Sequence, residues 1–218
     1  RTSGLEPQPA QLTLIPAATA EAQAIATGAQ VAVQSRRLWL CVHLPRLPVD
    51  ALKHNAAIPC AVIETVRNRP QVIACNGAAE KRGVQPCMAL AAALSLCAEL
   101  DARERDRRAE CARLNDMAAA AWQLSPTVCL YDAGSVVLEI GGSLKLFNGL
   151  GGVLQRAREE FSRLGSDFVF AVAGTPRASC WLARHLPGSY VLFAGELPGL
   201  LRGLPVQVLD LAEPQLNA

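Results

Sequence analysis

From Leu38 onward, short apolar runs alternate with amphipathic stretches, the pattern of strands interleaved with covering helices. Leu38 to His43 is a continuous apolar run stopped by Pro45, which predicts a buried strand. Further strands are predicted at Cys60 to Glu64, Gln71 to Cys75, Thr127 to Tyr131, Ser135 to Ile140 and Phe168 to Ala173. Asp132-Ala133-Gly134 separates two of these runs and predicts a hairpin.

Helical periodicity is clearest from Leu150 to Leu164, where Leu150, Val153, Leu154, Ala157, Phe161 and Leu164 share one face and Gly165 caps the end. Residues 103–123 predict a second long helix, with Cys111, Leu114, Ala118 and Ala121 inward and Arg103, Arg105, Arg107 and Arg108 at its start. Asn76 to Arg82, stopped by Gly83, and Ala89 to Cys97 predict shorter helices. Thr175 followed by Pro176 reads as an N-cap and first helical position for a helix to His185. The order suits an α+β fold, a ferredoxin-like mixed sheet with helices on one face.

Residues 1–35 differ, being rich in Ala, Gln, Thr and Pro and without an aromatic side chain; they read as a poorly structured extension. The absence of an initial Met and the Pro/Gln/Asn tail suggest a piece of a longer polypeptide. Hydrophobic residues make up 51% and charged residues 18% of the 218, enough apolar content to exclude disorder of the whole chain. A net charge of +2 gives no overall field toward nucleic acid or an anionic membrane, so such binding requires a local patch.

The eight cysteines contain no C-x-x-C pair, which removes the usual zinc and dithiol spacings and fits a reducing, cytoplasmic setting. The longest strongly apolar stretch, Gly83 to Ala98, is too short to span a bilayer and contains Pro86, so no membrane partner is expected. Gly141-Gly142-Ser143-Leu144-Lys145 and Gly149 to Gly152 lack the phosphate-loop pattern and read as turn and cap glycines. His43, His54 and His185 have no metal-ligand or hydrolase-triad spacing, although His43 ends a strand where it could face a cleft.

Four segments together carry a family resemblance: LWLCVHLPRLPVDAL at 38–52, IPCAVIE at 58–64, VIACNGAAEKRGVQPCM at 72–88 and AVAGTPRASCWLARH at 171–185. Over about residues 36–210 the chain resembles Y-family DNA polymerases of the UmuC and DinB type, and among them the catalytically degenerate ImuB-like branch. Asn76, Gly83, Val84 and Met88 form the most specific block. The resemblance implies a palm at 36–55 and 118–205, a small fingers subdomain at 56–117, and an approach to the thumb at 206–218.

It also implies an active site whose positions are altered. Where the family places two metal-binding aspartates and an aromatic steric gate at the end of the first palm strand, this chain has His43, Pro45 and Pro48. The family's adjacent Asp-Glu pair falls in the hairpin, where Asp132 matches only loosely and Glu139 lies too far along. The triphosphate-holding Tyr and Arg of the N-Y-x-A-R block become Gly77 and Glu80, and the later lysine becomes Thr175. Two-metal phosphoryl transfer needs carboxylates that hold divalent ions about 3.5 to 4 Å apart, which histidine, proline and glycine do not supply.

The expectation is therefore a pseudo-polymerase with no catalytic residue, metal or cofactor. Its implied role is an adaptor in DNA-damage-induced translesion synthesis and SOS mutagenesis in a bacterial, nucleoid-associated setting. Implied partners are an error-prone C-family DNA polymerase, an ImuA-type RecA-like accessory protein, and the sliding clamp through regions absent here. DNA contact would be weak and sequence-independent, through Lys81, Arg82, Lys145 and Arg177. Two rival readings stand beside it. One is an active translesion polymerase that recruits Asp50, Asp132 and Glu139 for Mg²⁺; the other is a ferredoxin-like interaction module unrelated to DNA.

Overall fold

Along the chain the elements are β1 (Trp39–His43), α1 (Leu47–Asp50), β2 (Cys60–Val66), β3 (Arg69–Cys75), α2 (Gly77–Glu80), α3 (Leu90–Leu96), β4 (Asp101–Glu104), α4 (Arg107–Ala121), β5 (Val128–Asp132), β6 (Ser135–Glu139), α5 (Leu150–Ser162), β7 (Val169–Ala173), α6 (Pro176–His185) and α7 (Leu197–Leu201). This computed structural model describes residues 37–52, 54–132 and 134–204; the expectations for 1–35 and 206–218 lie outside the described residues.

The larger sheet runs β5-β6-β1-β7. Apolar side chains leave β1 on both faces, as a central strand requires. Leu40 and Val42 point to one face, where α4 and α5 supply Leu114, Met117, Ala121, Val153, Leu154, Ala157 and Phe161. Cys41 points to the other, against Ala178, Cys180, Leu182 and Ala183 of α6. Each such large apolar side chain contributes roughly 1.5 to 3 kcal/mol on full burial.

The order β1-α4-β5-β6-α5-β7 is the ferredoxin-like arrangement, with two details that differ from expectation. Every pairing in the sheet is antiparallel, not mixed. Helices cover both faces, because α6 turns back after β7 onto the side that α4 and α5 leave open.

A smaller sheet, β3-β2-β4, is inserted between α1 and α4. β2 pairs antiparallel with β3 and parallel with β4. Asn76 stitches this unit: its Oδ1 accepts the Cys60 and Ala79 N–H groups at 3.1 and 3.0 Å, and its Nδ2 donates to Ile58 O at 2.8 Å.

The expected helix at 103–123 starts later. Asp101–Glu104 pairs with β2 as a strand, and Asp106 then caps α4 by accepting the Arg108 and Ala109 N–H groups at 3.0 Å. The buried face of α4 is Glu110, Leu114, Met117 and Ala121, while Cys111 is exposed. Glu110 can lie inward because Arg105 meets both of its carboxylate oxygens at 2.7 Å. Leu114, Met117 and Ala121 place α4 in the core of the larger sheet, on both sides of the expected fingers boundary at 117.

Candidate functional site

Antiparallel pairing fixes what surrounds the C-terminal end of β1. His43 stands opposite Ser135 of β6 and Val169 of β7, so the hairpin residues Gly134 and Ser135 face it directly. His43 Nδ1 is 3.0 Å from both Gly134 O and Ser135 Oγ. The ring also lies against Gly134, where a Cβ would come within 3.4 Å of His43 Cε1. Burial pushes the His43 pKa below the ordinary histidine value, and the Arg184 guanidinium lowers it further against the opposing pull of Asp132.

Asp132 is already engaged. Its Oδ2 accepts from Arg184 of α6, and its Oδ1 accepts the Gly134 N–H at 2.9 Å, closing the hairpin turn. Glu139 lies opposite Trp39, at the other end of β1 and about 13 Å from the His43 position at ~3.3 Å per residue. Its Oε1 accepts the Gly141 and Leu38 N–H groups at 2.9 and 3.3 Å. Asp50 faces elsewhere: its Oδ2 accepts the Asp167 N–H at 3.1 Å. Burial raises the Asp50 pKa, while that hydrogen bond opposes the rise.

The structure therefore does not gather Asp50, Asp132 and Glu139. Among the described residues, no three His, Cys, Asp or Glu side chains are placed to hold a metal ion. The divalent metal pair that polymerase chemistry implies does not fit the residues present at the end of β1.

A cleft opens instead where the small sheet meets the larger one. Its main compartment, about 620 Å³, is lined in part by Arg46, Asp50, His54, Gly77, Lys81 and Arg82. A second compartment, about 470 Å³, includes Pro45, Ile73, Cys75, Pro86, Phe168 and Val169. Arg46 and Asp167 border both. Arg46 Nη2 donates to Glu80 at 2.7 Å and Nη1 to Asp167 at 3.0 Å. Sequence reasoning passed over Arg46, whose only signal was a cation within His-Leu-Pro-Arg-Leu-Pro.

Pro48 lies in the first turn of α1, where its missing N–H costs no helical hydrogen bond. Thr175 caps α6 by accepting the Ala178 N–H at 3.2 Å. It follows Ala173, the partner of Trp39, and so sits at the far end of the sheet from His43 and apart from Gly77 and Glu80. Of the expected DNA contacts, Lys81 and Arg82 share one cleft wall, with Arg82 also paired to Glu99 at 2.6 Å. Arg177 donates to the Tyr131 hydroxyl at 3.3 Å. Exposed Lys145 follows the turn after Glu139, away from Lys81 and Arg82 on the small unit.

A model of the impB/mucB/samB family, IMS, matches residues 49–180, more than half the chain. The chain belongs to this family. No curated protein sequence matches it. Among solved structures it is similar to DinB from Sulfolobus solfataricus, at 14% identity and a TM-score of 0.60, over 83% of this chain and 56% of that one. It is also similar to an insertion ternary complex of Dbh DNA polymerase, at 15% identity and a TM-score of 0.63, over 78% of this chain and 53% of the other. The fold is thus the palm with small fingers of Y-family polymerases, and the chain spans about half the length of those structures. As an IMS member it carries the small sheet as fingers and the β5-β6-β1-β7 sheet as palm.

Proposed function

We propose that this IMS-family chain is an ImuB-like pseudo-polymerase, a palm and fingers that contact DNA without extending a primer. The observation that carries the reading is the hydrogen-bonded set of His43, Gly134 and Ser135 at the end of β1, with Asp132 committed to Arg184. Polymerase chemistry would require carboxylates there to hold two divalent ions and balance the charge of the transferring phosphoryl group. An imidazole and a hydroxyl cannot supply that charge.

In this role the protein is an adaptor in DNA-damage-induced translesion synthesis, cytoplasmic and nucleoid-associated. It bridges DNA, an error-prone C-family polymerase, an ImuA-type RecA-like partner and the sliding clamp. Lys81 and Arg82 on the cleft wall are the cations that best support phosphate contact. Binding through so few phosphates is sequence-independent, with a log-log salt slope of about −2. The rival interaction module unrelated to DNA is disfavoured by family membership across residues 49–180.

The test combines Mn²⁺ titration followed by electron paramagnetic resonance, primer extension in Mg²⁺ and Mn²⁺, and salt-titrated DNA binding. Salt-dependent DNA binding with no Mn²⁺ bound and no extension supports the proposal. Stoichiometric Mn²⁺ binding or nucleotide incorporation that Asp132→Asn abolishes overturns it and makes the chain an active polymerase with relocated carboxylates.

A further inference from the structure

The seam between fingers and palm contains little apolar contact. Val49 of α1 meets Val62 and Ala74 of the small sheet, with Leu52 beside them, in a cluster separate from the core of either sheet. Ion pairs supply much of the remaining connection, and they fall into two sets of different burial.

At the β4 edge, Arg105 holds Glu110 of α4 at 2.7 Å and Glu64 of β2 at 3.2 Å. The Arg105 and Glu110 side chains are only 16% and 5% exposed. At the opposite, β3 edge, Arg46 holds Glu80 and Asp167, with exposures of 35% for Arg46 against 43% and 66% for its partners. A buried bidentate pair resists opening, whereas exposed pairs exchange with water at little cost.

We propose that Arg46 is a latch that holds the fingers onto the palm, with the Arg105–Glu110–Glu64 network as the hinge on the other side. Arg46 starts from the palm, in the turn between β1 and α1, and reaches a fingers carboxylate in α2 and a palm carboxylate just before β7. Its guanidinium closes the cleft at the border of the two compartments, so the fingers are held shut by the chain's own side chain. Breaking the pairs lets the β3 edge move away while the buried network keeps the β4 edge in place. The latch does not depend on whether the chain extends primers.

Native cysteines allow a direct test in the full chain. Cys87 on the fingers and Cys129 on β5 are exposed, as is Cys111, while Cys41, Cys60, Cys75, Cys97 and Cys180 are buried. Spin labels at Cys87 and Cys129 in a Cys111→Ser background report the fingers-to-palm distance. Arg46→Gln is expected to raise the longer-distance population roughly two- to fivefold per ion pair lost, as is typical of exposed pairs. High salt produces the same shift in the otherwise unchanged protein. The charge swap Arg46→Glu with Glu80→Arg and Asp167→Lys, which reverses both ion pairs and leaves no two carboxylates facing each other, restores the short distance. Identical distance distributions for Arg46→Gln and its parent, or a swap that fails to restore the short distance while circular dichroism shows a folded chain, would overturn the latch.

Discussion

Ser135 stands directly opposite His43 across the β1–β6 ladder, with its Oγ 3.0 Å from the imidazole Nδ1. The fold favours a neutral ring here, since burial and Arg184 both push the His43 pKa below its ordinary value. The proton therefore binds the unfolded chain first as the pH falls. The stability present above the ordinary histidine value is lost as pH drops through it, and the loss levels off below the folded-state value. Urea denaturation between pH 7.5 and about 5 is expected to show this decline, and His43→Asn, which keeps a donor for Gly134 O, is expected to reduce its slope. Equal slopes in the two proteins would mean that His43 is not the group being titrated.

Asp132 and Arg184 form an ion pair whose side chains are 23% and 21% exposed. Asp132→Asn keeps an oxygen for the Gly134 N–H and removes the charge facing Arg184. The expected cost is about 1–2 kcal/mol, in the range for a charge-assisted hydrogen bond at a partly covered site. Arg184→Met should cost a similar amount, and the double variant much less than their sum. Additive costs would show that the pair is not energetically coupled.

Strands and capped helices were legible because their signals are local. The apolar run at Leu38, the hairpin at Asp132 to Gly134 and the Thr175-Pro176 start each depend on a few neighbouring residues. The β4 strand was not, because Asp101–Glu104 carries three charged residues in four and is a strand only through its pairing with Cys60–Ile63. For the same reason Glu110 defied the apolar-face pattern of α4, its partner Arg105 lying just beyond β4. Motif alignment located the end of β1 and the hairpin. It took the β1–β6 register to show that Gly134 and Ser135, not Asp132, face His43. Arg46 gains its meaning from partners 34 and 121 residues away, a relationship that no short window contains.

The Arg105–Glu110 pair predicts a large, specific loss. Glu110→Gln leaves the guanidinium, 16% exposed, with Glu64 as its remaining carboxylate. Removing one partner of such a buried pair costs about 3 kcal/mol. Replacing both with leucine recovers most of that loss, because the uncompensated charge goes with its partner. Chemical denaturation of the three variants measures this, and a double variant no more stable than Glu110→Gln would show that the pair contributes directional bonds that apolar packing cannot replace.

Gly152 lies in the first turn of α5, where a Cβ would come 1.7 Å from the carbonyl oxygen of Phe147. The obstacle is backbone, so no rotamer change relieves it. Phe147 packs against the palm core, and the chain between it and the helix is set by Asn148 and Gly149, both at positive φ. Gly152→Ala must shift either the helix start or that turn, at about 3 kcal/mol, the upper range for overpacking. Gly174→Ala is the matched control, since its Cβ would meet nothing within 4 Å, and it should change stability by less than about 0.5 kcal/mol. If the two variants melt together, the turn at Phe147 to Gly149 has room to yield, and the close approach of the chain there is not a constraint on residue 152.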